Sequence, residues 1–124
     1  MLNIKAIARK ETVVAEIMVG RDKGETEDII KSRKPITIND FEACEITNDE
    51  GVKEVVYAYT TKEEPNKFYF AGLVLKRIFE SIIAQAQGDF EEAYNAVREQ
   101  GLKVKLGEKR TKNKMTVTTV EVVD

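Results

Sequence analysis

Apolar and polar positions divide the chain into stretches that alternate every second residue and stretches that repeat every third or fourth. Near the start, Leu2, Ile4, Ala6 and Ala8 share one face of residues 2–8. Val13, Ala15, Ile17 and Val19 share one face of residues 12–19. A period of two predicts a strand in each, with residues 9–11 turning between them as a hairpin. Gly20 and Gly24 end this pattern. Thr26, Glu27 and Asp28 then precede Ile29 and Ile30. This predicts a short helical turn capped by Thr26, with acids at its positive end, stopped by Pro35.

Residues 36–47 read as extended, with Ile36 and Ile38 pointing one way. Phe41 falls out of step after Asn39 and Asp40, which predicts a bulge. Residues 48–51 are a turn by composition. Residues 52–61 resume as a strand, with Val55, Tyr57 and Tyr59 on one face and Val56, Ala58 and Thr60 on the other. After a charged loop at 62–66, residues 67–70 form a short aromatic strand in which Phe68 and Phe70 share a face and Tyr69 takes the other. Leu75, Ile78, Phe79, Ile82, Ile83 and Ala86 recur at helical spacing, predicting a helix over about 72–87 that ends at Gly88. Asp89, with Glu92 three residues on, is a capping box for a second helix that buries Phe90, Ala93, Tyr94 and Val97 and stops at Gly101. Leu102, Val104 and Leu106 alternate with Lys103 and Lys105. A turn over 107–114 leads to a β-branched strand at 115–123.

The predicted fold class is therefore mainly β with a helical insertion (α+β). From residue 36 the order fits an oligonucleotide-binding (OB-fold-like) five-stranded barrel, with two helices between strands three and four. Residues 1–35 add an N-terminal β-hairpin and a helical turn to a single domain spanning 1–124.

At 124 residues, 42% apolar and 34% charged, the chain can bury one modest core. No apolar run approaches the length of a membrane span, and Asn3, Lys5 and Arg9 interrupt any signal-peptide block. A cytoplasmic location is expected. Cys44 is the only cysteine, so an internal disulfide is excluded; it reads as a small core residue. The absence of histidine removes Ser-His-Asp and Cys-His catalysis and histidine metal sites. Gly20 and Gly24 bracket two cations but lack the Gly-Lys-Ser/Thr end of a phosphate loop. Asp40, Glu42, Glu45, Glu63 and Glu64 are the candidates for a metal-dependent nuclease, yet no familiar spacing of acids and lysine unites them. We expect no enzyme activity, no cofactor and no metal.

Charge is distributed unevenly. Residues 103–114 hold six basic residues and one acid, a net of +5 in a chain whose total is −2, so the remainder carries −7. Lys103, Lys105, Lys109, Arg110, Lys112 and Lys114 are placed to neutralise phosphates. Tyr57, Tyr59 and Tyr69 are the aromatics expected to be exposed for stacking bases, because a hydroxyl tolerates water. Phe79 and Phe90 lie on helix stripes and are assigned to the core. The alternative reading is a solvated hairpin whose lysines discourage edge pairing, beside aromatics that simply fill a barrel.

The sequence also resembles small single-stranded DNA-binding proteins encoded by phages and prophages of Gram-positive bacteria. The resemblance covers most of the chain. It rests on Ala15-Glu16-Ile17-Met18-Val19-Gly20-Arg21, on Lys67-Phe68-Tyr69-Phe70-Ala71-Gly72, on Gly88-Asp89-Phe90-Glu91-Glu92-Ala93, and on the lysine-rich closing hairpin with Val117 to Val122. It implies sequence-independent binding of single-stranded DNA in phage replication or recombination, alongside phage replication or recombination proteins as partners. Cellular single-strand binders usually end in a disordered acidic tail, whereas Glu121 to Asp124 here closes a strand, which puts recruitment through such a tail in doubt. The edge of the N-terminal hairpin would suit pairing in a homo-oligomer. A phage assembly or accessory interaction module on the same barrel is the main alternative.

Overall fold

The computed structural model describes residue 4 and residues 16–124, except residue 48. A 3-10 turn at Glu16–Met18 leads to β1 (Asp22–Lys23), α1 (Thr26–Ser32), β2 (Ile36–Thr47), β3 (Lys53–Thr61) and β4 (Lys67–Phe70). Helices α2 (Leu73–Gln85) and α3 (Phe90–Gln100) follow, then β5 (Leu102–Arg110) and β6 (Thr116–Val122). The strands form one curled, mixed sheet in the order β1-β4-β3-β2-β5-β6. Among the described residues only the β1–β4 pair is parallel. The element order from residue 36 onward is the one the hydrophobic pattern predicts. Among the described residues no helix is long and apolar enough to cross a membrane.

The expected N-terminal hairpin needs correction where it can be seen. Its second strand is replaced at Glu16–Met18 by the 3-10 turn, which buries Ile17. The turn is held by the Ile17 N–H donating to Glu42 Oε2 (3.0 Å), and Arg21 donates to the carbonyls of Ile17 and Pro65. The rest of that hairpin, including the edge read as a site of self-pairing, lies outside the described residues. Thr26 is likewise not a cap but the first residue of α1. Glu25 takes the cap position without a side-chain bond, and Arg33, at φ 58°, closes the helix before Pro35.

Both faces of the sheet bury side chains, the outer one only over β2, β3 and β4. On the inner face, Ile36, Ile38, Phe41, Tyr57, Tyr59, Tyr69, Val104 and Leu106 pack against Leu75, Phe79 and Ile83 of α2 and Ala93, Tyr94 and Val97 of α3. On the outer face, Cys44, Ala58 and Phe68 are buried beneath Ile17. The predicted bulge is present. The β2–β3 register shifts between Ile38 and Asp40, which returns Phe41 to the inner face. Asn39 Oδ1, at the shift, accepts from the Thr60 hydroxyl (2.7 Å).

Strand β2 pairs with β5 only over Ile36, Thr37 and Ile38, after which the two strands part. Helix α3 fills the fork. The Tyr94 hydroxyl accepts from the Ala43 N–H (2.9 Å), and Arg98 forms a salt bridge to Asp40 (3.0 Å). Helix α3 is positioned by Asp89, whose carboxylate accepts from the Glu92 N–H (3.1 Å), as the capping box predicts. Asp89→Ala is expected to lower unfolding free energy by about 1 kcal/mol, measured by urea denaturation. Phe90, expected in the core, is 47% exposed: it is the first helical residue and only flanks Tyr94, 6.2 Å away.

Candidate nucleic-acid interface

The three tyrosines expected to stack bases are core residues. Tyr57 is 6% exposed, Tyr59 0% and Tyr69 4%. Tyr59 and Tyr69 sit directly opposite across the β3–β4 pair, their rings stacked at 5.5 Å, and Tyr57 and Tyr59 both approach Phe79 of α2. Burial raises the pKa of all three hydroxyls, to the greatest extent at Tyr59. Stacking by Tyr57, Tyr59 and Tyr69 is thus excluded by their own packing. The residues of β3 and β4 alternate as their pattern predicts, but it is the tyrosine face that the helices cover.

The hydroxyl of Tyr59 has no well-formed hydrogen bond; Thr26 lines the same small void. Tyr94, by contrast, satisfies a backbone donor at the strand fork. Tyr59→Phe should therefore change stability by less than about 1 kcal/mol, and in the favourable direction if either. Tyr94→Phe should cost about 1–3 kcal/mol by orphaning the Ala43 N–H. Paired urea titrations of the two variants check this contrast.

The aromatics on the other face are Phe68 and Phe70. Their rings meet edge to face at 5.6 Å. Phe68 is buried beneath the Glu16–Met18 turn, while Phe70 is half-buried with the Lys23 ammonium 5.6 Å from its ring centroid. Register fixes this: Ala58 opposes Phe70 and Thr60 opposes Phe68, both outward, while the Tyr59–Tyr69 pair between them points inward. Phe70 is the residue that sequence reasoning passed over. The cation that β1 brings beside it, from Asp22 and Lys23 paired to Lys67 and Phe68, carries no periodic signal.

The basic segment is longer and more ordered than a turn. Strand β5 runs to Arg110 and β6 begins at Thr116, so Lys109 and Arg110 are strand residues and the reversal is confined to 111–115. Thr111 N–H donates to the Met115 carbonyl (2.8 Å), Lys114 N–H to the Thr111 carbonyl (3.0 Å), and Lys114 takes φ 60°. Leu106 is the last buried side chain of β5. Beyond it the hairpin continues as a two-stranded arm. Lys103, Lys105 and Lys109 alternate onto the outer side of β5, Arg110 lies on the other, and Lys112 and Lys114 sit at the tip. All six are exposed. The salt bridges among the described residues join Lys31 to Glu27, Lys53 to Glu45 and Arg98 to Asp40, so none of them engages the arm.

The acids considered for metal chemistry are dispersed. Asp40 pairs with Arg98, Glu42 accepts from Ile17, Glu45 pairs with Lys53, and Glu63 accepts from the Thr37 N–H (2.6 Å). Among the described residues no group of three or more potential ligands converges. Cys44 is buried as expected, and burial, with Glu42 beside it, pushes its thiol up to about 11. Comparison with protein-family models, with curated proteins and with solved structures gave no match.

Proposed function

We propose that this protein binds single-stranded DNA without sequence preference and without catalysis, in phage replication or recombination. The observation that carries the reading is the β5–β6 hairpin of a chain whose total charge is −2: four exposed cations on the arm past Leu106, with Lys103 and Lys105 exposed on β5 at its base. Cations so placed release counterions when they meet phosphates. Phe70, half-buried with Lys23 over its ring, is the outer-face aromatic assigned the stacking role in place of the tyrosines, since a π-face serves any base. Strand connectivity lends further support. Strands β4-β3-β2-β5-β6 have the neighbour relations of an oligonucleotide-binding barrel, open between its third and fifth strands. Here β1 pairs with β4 where a closed barrel would bring β6.

Fluorescence anisotropy of a labelled oligo-dT, titrated at two salt concentrations beside a duplex of equal length, tests the proposal. Tighter binding of the single strand, weakening with salt, is expected. Equal affinity for duplex, or no binding, would dispose of it. One observation favours the second reading, a protein-interaction module. An apolar groove lies between α2 and α3, lined by Ile78, Ile82, Ala86, Ala96, Val97 and Leu102.

A further inference from the structure

Strand β6 ends the sheet: the start of α2 packs beside Thr118 and Val120, and among the described residues no strand lies along the far edge. Among the described residues nothing pairs with that side of the strand. The hydrogen bonds to β5 fix which backbone groups face outward. Val123 N–H donates to the Lys103 carbonyl, and Thr111 N–H to the Met115 carbonyl, so the odd-numbered residues of β6 bond to β5. In an antiparallel ladder the alternate residues then turn their N–H and C=O away, here Thr116, Thr118, Val120 and Val122. Natural edge strands are shielded by proline, lysine, a bulge or shortness. Strand β6 has seven residues and an unbroken register with β5. Its sequence, Thr-Val-Thr-Thr-Val-Glu-Val, carries a single charge, and Val117 and Val122 are 42% and 61% exposed.

We propose that β6 is a homodimerisation edge, pairing antiparallel with β6 of a second copy about a two-fold axis at Thr119. This register is the one that uses all four outward residues. Thr116 meets Val122 of the second copy, and Thr118 meets Val120, each as a hydrogen-bonded pair. A second copy meets this edge without bringing like charges together on the outer face. Glu121 is flanked by Lys105 of its own chain, and faces Val117 of the second copy with Lys109 one strand beyond. No acid opposes an acid across the seam and no cation opposes a cation. Every residue of the seam is β-branched except Glu121, which meets Val117 rather than a like charge, so the edge fits itself. The dimer would join the two sheets into one and place the two basic arms side by side, pointing in opposite directions. The inference does not depend on nucleic-acid binding.

Sedimentation equilibrium on the full chain, without nucleic acid, tests it. The wild type should sediment at twice 14.0 kDa over micromolar concentrations. Thr118→Pro removes an outward N–H while sparing the bonds to β5, and should sediment as a monomer with an unchanged far-UV circular dichroism spectrum. Val122→Lys, which places a charge on the edge at an exposed position, should do the same and decides the matter if the proline variant does not fold. A monomeric wild type, or a folded Val122→Lys variant that still dimerises, would overturn the proposal.

Discussion

Phe41→Ala is expected to remove about 3–5 kcal/mol of unfolding free energy. The side chain is fully buried and lies where β2, α2 and α3 meet. Its ring stacks on Phe79 at 4.3 Å and 5°, meets Tyr94 edge-on at 4.9 Å, and leans on Tyr57 at 6.4 Å. Truncation leaves a cavity walled by rings attached to three separate elements, which cannot all close on it together. Typical domain stability is about 5–15 kcal/mol, so the variant should have lost a large share of its margin. Urea denaturation followed by circular dichroism measures the loss. A cost below about 1 kcal/mol would mean that the helices do not depend on this ring to hold the sheet.

The double reversal Lys109→Glu with Arg110→Glu is the second large effect, and it acts on function rather than folding. Both side chains are exposed on the arm, beyond the last buried residue of β5, so the fold should be indifferent to them. On single strands each phosphate contact contributes about 0.7 to the salt slope. Losing two contacts should reduce the slope by about 1.4 and weaken binding about 25-fold at 0.1 M salt, with repulsion from the new carboxylates adding to the loss. Anisotropy titrations at several salt concentrations read both quantities. Unchanged affinity and slope would remove the arm from the interface and favour the interaction-module reading.

Much of this architecture is written in local chemistry. Asp89 with Glu92 announces α3, and Gly88, at φ 82°, marks the chain reversal just before it. The mismatch of Phe41 against Ile36 and Ile38 announces the bulge, because a strand that buries one face cannot carry Asp40 inward. What local chemistry does not supply is which face of β3 and β4 is the inner one. Tyr57-Ala58-Tyr59 and Phe68-Tyr69-Phe70 have no polar parity, since helices cover one side and the Glu16–Met18 turn lies on the other. A hydroxyl does not by itself mark the exposed face, because a buried tyrosine ring can leave its oxygen poorly bonded, as at Tyr59. The state of the sheet edges was equally hidden. It turns on β1, a two-residue strand too short to show any period.

The length of the arm has an electrostatic consequence. Arg110 lies four strand residues past Leu106, about 13 Å at the usual rise per residue. Attraction and repulsion between exposed charges fade over about 8 Å at physiological ionic strength. The tip cations therefore stand more than one screening length from the body, where most of the acids lie. An approaching polyanion meets the positive field of Lys109, Arg110, Lys112 and Lys114 before it feels the carboxylates behind them. An acidic protein can in this way present a cationic reach without having to become a basic one.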